Sequence, residues 1–465
     1  MEKLRQALRD SKTARWTALA IVAFTIFCGY FLSDAMAPLK GMLEEKLSWS
    51  SSEYGFFTSA YGWFNVFLFF LIIGGIIADK MGVRFSGLMS ASIMVAGTAI
   101  KYWAVSTHAL DGQVWHILWF DMKAQVFLAA LGFAIFGVGM EVAAITVSKI
   151  IVKWFNGKEM ALAMGLEMSL ARLGTGLAIG TSLPIARAFD KVSAPILLAL
   201  VLLCIGLVSF FVYTFFDKKL DAEDAAFNKA NAVVDSEESF RMSDIWKIIT
   251  NKGWWYIAIL CVLFYSAVFP FLKYAQDLMV NKFGVAEKLA GAIPMMLPFG
   301  TIILTPFFGN LYDRKGKGAT IMLLGAAILV FVHSLFSIPF LNQVPVAIFL
   351  TIVLGIGFSL VPSAMWPSLP KIIPEKQLGT AYSMIFWVQT WGVMGVPALI
   401  GWILDKYCIT GQIMKNGISV NIYNYTIPML IFTLLGVLAI VFALLLKAED
   451  KKKGYGLELP NITYN

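Results

Sequence analysis

The sequence predicts an all-α membrane protein of twelve transmembrane helices in two six-helix halves. Three observations carry that reading. Of 465 residues, 59% are hydrophobic and only 14% charged, with a mean hydropathy of +0.75; a soluble domain is nearer a quarter charged. Apolar runs long enough to cross a bilayer recur along the whole chain. A short polar motif appears twice, at equivalent places in the two halves. Long continuous runs, rather than short alternating ones, exclude a β-barrel.

Taken in order, the predicted spans are 16–38, 53–78, 85–106, 122–152, 159–187, 193–216, 254–281, 288–311, 319–338, 344–370, 378–405 and 423–447. The first begins near Trp16, is long enough to span, and lacks a small-residue cleavage site, so it reads as a helix and not a signal peptide. The polar stretch 217–252 separates a first half (1–216) from a second (253–447), and 448–465 reads as a tail. Lys and Arg gather at the termini, in the central stretch and in the even-numbered connections, which predicts both termini in the cytoplasm. The net charge of +8 is thus sorted by membrane side and does not point to nucleic acid. Four cysteines without metal-ligand spacing read as packing residues, so neither metal nor cofactor is expected. No HExxH or GxSxG motif is present, which argues against an enzyme.

The repeated motif reads Gly-x-x-x-Asp-Lys/Arg-x-Gly. It comprises Asp79, Lys80, Gly82 and the nearby Arg84 after span 2, and Asp313, Arg314 and Gly316 after span 8. Gly82 and Gly316 can supply the positive φ of a tight turn. Asp79 and Asp313 are expected to accept from free N–H groups at a helix start. The pattern resembles the major facilitator superfamily, where it marks the loop between helices 2 and 3; the resemblance implies that superfamily's fold and a gating role for these seven residues.

More of the chain resembles the lysosomal dipeptide transporter branch of that superfamily and its bacterial relatives. The similar stretches are 61–84, 139–174, 264–271 and 363–383, the specific part being the series GME, KWFNGKE and SLAR. The resemblance implies transport of small peptides, foremost dipeptides, by facilitated uniport, with Glu141 and Arg172 tied to substrate recognition. The N-terminal segment shows no acidic dileucine, so the expected location is a bacterial inner membrane, multi-pass and monomeric, with the bilayer and a small peptide as its partners.

The residues themselves support a site there. Glu141 and Arg172 lie in the middle third of apolar spans 4 and 5, where an ionisable group costs about 2.5–3.5 kcal/mol and must face protein or water. Arg172 is about 20 Å and Glu141 about 16 Å from the cytoplasmic ends of their spans, at 1.5 Å per residue. A guanidinium suits a carboxylate and a carboxylate accepts from an ammonium, so the two suit the ends of a zwitterion. The alternative is a buried ion pair that only fixes helices 4 and 5. Tyr30, Asp34, Asn65, Tyr265, Phe269, Trp366 and Gln389 are further candidates for the lining. Asp34, near a helix end, is equally a solvated carboxylate. Competing functions are a proton-coupled or uncoupled carrier of an organic anion or amino acid, and a non-transporting receptor. Ten of 16 prolines lie in spans of the second half, which predicts that this half bends.

Overall fold

The computed structural model describes residues 10–117, 120–155, 158–231, 242–374, 377–415 and 417–461. The first half runs α1 (Lys12–Asp34), α2 (Lys40–Leu47), α3 (Ser51–Ser59), α4 (Trp63–Phe67), α5 (Phe70–Lys80), α6 (Gly82–Ser106), α7 (Ala124–Phe155), α8 (Met160–Ala188) and α9 (Ala194–Asn231). After α10 (Met242–Ile249) come α11 (Lys252–Phe283), α12 (Glu287–Ala290), α13 (Met296–Lys315), α14 (Gly318–Ser337), α15 (Val344–Ser368), α16 (Leu378–Tyr407) and α17 (Thr426–Lys453). Among the described residues ten helices are long and apolar enough to cross a membrane, and a bent pair adds an eleventh. The segment predicted as span 8 forms α13, which packs between the membrane helices α8 and α15. The protein is a multi-pass helical membrane protein.

Span 2 departs from its prediction. It is not one helix: α3 and α4 meet α5 at 58°, and Phe69 at the break has φ +56°. No proline lies in this span, so the bend is set by neighbours; the rings of Phe67 and Phe69 pack on Trp391 and Trp387 of α16. Five prolines of the second half sit in helix interiors: Pro270 in α11, Pro306 in α13, Pro362 and Pro367 in α15, and Pro397 in α16.

Helix α9 also continues to Asn231, well past the expected boundary near 216. Its extension is rich in Ala and Lys, which favour a helix interior in water. Asp217 and Asp221, one turn apart, face Lys153 at 2.7 and 2.5 Å.

Two loops opposite the termini form antiparallel hairpins. Strands β1 (Val114–Ile117) and β2 (Phe120–Lys123) pair in the register Val114↔Lys123. Strands β3 (Ile409–Lys415) and β4 (Ile418–Tyr423) pair in the register Lys415↔Ile418, turning at Gly417 with φ +80°. The most extensive helix contact joins α6 and α7, where a Cβ on Gly97 would stand 2.5 Å from the Gly132 carbonyl oxygen. Only hydrogen at these two positions lets the backbones meet.

Candidate functional site

Glu141 and Arg172 both retain partial exposure and form no ion pair with each other among the described residues. Glu141, on α7, accepts a 2.8 Å hydrogen bond from the Tyr61 hydroxyl. Tyr61 lies in a turn of 3-10 helix, Ala60–Gly62, between α3 and α4. Arg172, on α8, places its guanidinium 5.1 Å from the ring centre of Phe358 and 5.7 Å from that of Phe269. Those rings belong to α15 and α11, so Arg172 of the first half lies on aromatic faces of the second. Such contacts contribute about 0.5–2 kcal/mol each. Tyr30, on α1, feels the charges of Arg172, Glu167, Glu141 and Asp34.

The second half supplies an aromatic wall. Tyr265 stacks on Phe269 at 5.3 Å and meets Phe358 edge-on at 5.8 Å. Trp366 donates from Nε1 to the Tyr265 hydroxyl at 3.3 Å, and Tyr382 donates to the Trp366 carbonyl at 2.9 Å. Gln389 accepts from the Cys261 thiol at 3.3 Å. The helices thus bring Tyr265, Phe269 and Trp366 into one cluster that Arg172 touches, while Gln389 faces α11. Tyr61, Phe358 and Tyr382 were missing from the sequence candidates. Tyr61 had a signal, since it stands inside a stretch carrying the resemblance; Phe358, in a uniformly apolar run, had none.

Two other candidates sit elsewhere. Asn65 is buried; its Nδ2 donates to the Tyr61 carbonyl at 3.5 Å, so it props the turn that holds Tyr61. Asp34 is also buried, with Oδ1 2.6 Å from Lys273 Nζ and Oδ2 accepting from Thr175 at 2.8 Å. It joins the two halves on the side away from the termini. His333 is enclosed by Phe271 and Phe432, with ring centres 5.3 and 5.2 Å away.

Other ties between the halves gather on that far side. Lys40 meets Asp277 at 3.0 Å, and Arg187, itself paired with Glu45 of its own half at 2.6 Å, meets Glu287 at 2.5 Å. Asp405, from α16, accepts from the backbone N–H groups of Ser51 and Ser52 at the start of α3. Here a carboxylate of one half caps a helix of the other. On the side of the termini, Leu162, Leu166 and Met168 of α8 are exposed.

The repeated loops use their charges differently from the expectation. Gly82 and Gly316 do take positive φ, +75° and +65°. Asp79, however, pairs with Lys149 of α7, and Asp313 accepts from Asn461 Nδ2 at 2.8 Å; neither caps the next helix. Arg84 reaches Asp221 at 2.7 Å, while Lys80 ends α5 and Arg314 lies in the last turn of α13. The start of α14 is capped by the tail: Glu458 accepts from Thr320 N–H at 2.9 Å, and Leu457 from Gly318 N–H at 2.8 Å.

Long apolar helices in two halves, with a mixed polar and aromatic site between them, define a membrane transporter. The model of the Major Facilitator Superfamily matches residues 19–397 and 274–460, and the chain belongs to that family. It is 27% identical over 408 residues to the zebrafish (Danio rerio) protein called lysosomal dipeptide transporter MFSD1, covering 84% of this chain and 81% of that protein. The human (Homo sapiens) protein of that name is 26% identical over 409 residues, covering 84% and 80%. Among solved structures, a bacterial homologue of the lysosomal transporter Spinster, inward-facing and occupied, superposes with a TM-score of 0.68 at 12% identity, over 95% of this chain and 98% of that one. A bacterial homologue of the drug peptide transporters PepT1 and PepT2 gives 0.62 at 13% identity, over 95% and 99%. These two likenesses concern the fold.

Proposed function

We propose that the protein moves small peptides, foremost dipeptides, across the membrane by alternating access, as a facilitated uniporter. Glu141 receives the peptide's ammonium and Arg172 its carboxylate. The observation that carries this reading is the state of the two charges. They stand on consecutive membrane helices, both partly exposed, with Glu141 held by a neutral hydroxyl and Arg172 by neutral rings. Opposite charges that served only to fix two helices would satisfy each other. The relatives named as dipeptide transporters support the same substrate class.

In this reading the aromatic wall of Tyr265, Phe269, Phe358 and Trp366 takes the peptide's side chains, with Tyr30 and Gln389 as polar neighbours. The ion pairs of the far side form the outer gate, Asp34–Lys273 among them, and the repeated loops hold the cytoplasmic gate. By the positive-inside rule the termini lie in the cytoplasm and the far side is outside.

The test is binding and counterflow with purified protein in liposomes. An unmodified dipeptide should bind and exchange; its N-acetylated and C-amidated forms should each bind more weakly. Uptake should be unchanged by an imposed proton gradient. Full binding of a peptide lacking both charged ends would overturn the proposal.

A further inference from the structure

Lys40 opens α2 in the first half and is 2% exposed. Its Nζ stands 3.0 Å from Asp277 Oδ2, 3.7 Å from Glu44 Oε2 and 4.0 Å from the ring centre of Tyr423. The ion pair with Asp277 and the ring face of Tyr423 hold it there. Asp277 lies on α11 and Tyr423 on β4, both in the second half. That half also fixes them. The Tyr425 hydroxyl donates to Asp277, and the Tyr423 N–H donates to Asn281 Oδ1 at 3.0 Å. Burial raises the Tyr423 phenol to about 12, so its ring stays neutral. Beside the cage a small open recess is lined by Glu44, Asp277, Asn281, Glu287 and Asn421.

Cation and cage therefore ride on different halves. Any motion that parts the halves on this side draws Lys40 out, and takes with it Glu44, which accepts from Asn421 N–H at 2.9 Å and the Tyr423 hydroxyl at 3.1 Å. What the second half keeps is a carboxylate beside an electron-rich ring face. That is the chemistry that binds an alkylammonium. We propose that Asp277 and Tyr423 form a second binding site, for a primary ammonium, which Lys40 fills while the far side is closed and which a ligand's ammonium takes when it opens. The inference rests on the alternating-access reading above and adds an entry site to it: Lys40 is a tethered competitor. By linkage, a ligand in the cage favours the form open on that side.

The experiment uses full-length protein in lipid nanodiscs and the probe glycyl-alanine amide, which has an ammonium and no carboxylate. N-acetyl-glycyl-alanine amide is the control. Glu141→Gln supplies a background without the central ammonium acceptor. Removing the competitor there, as Lys40→Met, should tighten calorimetric binding of the probe by about tenfold, the equivalent of 1.4 kcal/mol. Adding Asp277→Asn should abolish that gain, and the acetylated control should not bind. An unchanged affinity in Lys40→Met, a gain that survives Asp277→Asn, or equal binding of the control would overturn the proposal. Lys40→Gln replaces Lys40→Met should the latter not fold. Failure of the central reading is distinct: it shows as undiminished dipeptide binding in Glu141→Gln alone, whatever Lys40 does.

Discussion

Replacing Arg172 by lysine keeps the charge and removes the planar fork, which isolates what the guanidinium supplies. In the structure its carbon lies 5.1 Å over Phe358 and 5.7 Å over Phe269. A partly desolvated contact of this kind contributes about 1 kcal/mol. Lysine reaches one ring at best, and offers a carboxylate a point charge in place of two parallel bonds. The combined loss is about 2 kcal/mol, or about thirtyfold in Kd. The assay is calorimetric titration of a dipeptide into Arg172→Lys, Phe358→Leu and the double variant. The cycle should give a coupling of about 1 kcal/mol. Wild-type affinity in Arg172→Lys would refute the claim that planar carboxylate recognition occurs here. Full additivity would refute the ring contact as a functional element.

Other consequences are as testable. Tyr61→Phe removes a charge-assisted bond to Glu141 of about 1.5–3 kcal/mol; binding should weaken at least about tenfold with the protein still folded, checked by titration and gel filtration. Asp34→Lys should impair transport and Asp34→Lys with Lys273→Asp should recover part of it; a substrate ligand at Asp34 would give no recovery in the counterflow assay. Glu458→Ala uncaps α14 and should cost about 1 kcal/mol, seen as a lower Tm with unchanged dipeptide affinity. Cys408, buried behind α16, has its thiol pushed up to about 11. It should therefore stay protonated and resist polar maleimides between pH 7 and 8, with labelling rising only as the pH approaches that value.

The sequence by itself determined the class of fold and most of the membrane passages, and it singled out Glu141 and Arg172 as the charges to explain. These follow from one-dimensional quantities: apolar run length, the cost of charge in lipid, and a motif repeated at matching places. The turns at Gly82 and Gly316 were legible for the same reason, since a positive φ is a local demand that glycine meets. The tertiary structure alone decided partners. Nothing in the spacing of Asp34 and Lys273, or of Lys40, Asp277 and Tyr423, says that they meet, because each contact joins elements more than two hundred residues apart. The break at Phe69 likewise has no local breaker residue and arises from packing on α16. Local rules fix what a segment is, whereas the pairing of two charged side chains depends on where the whole chain sets them.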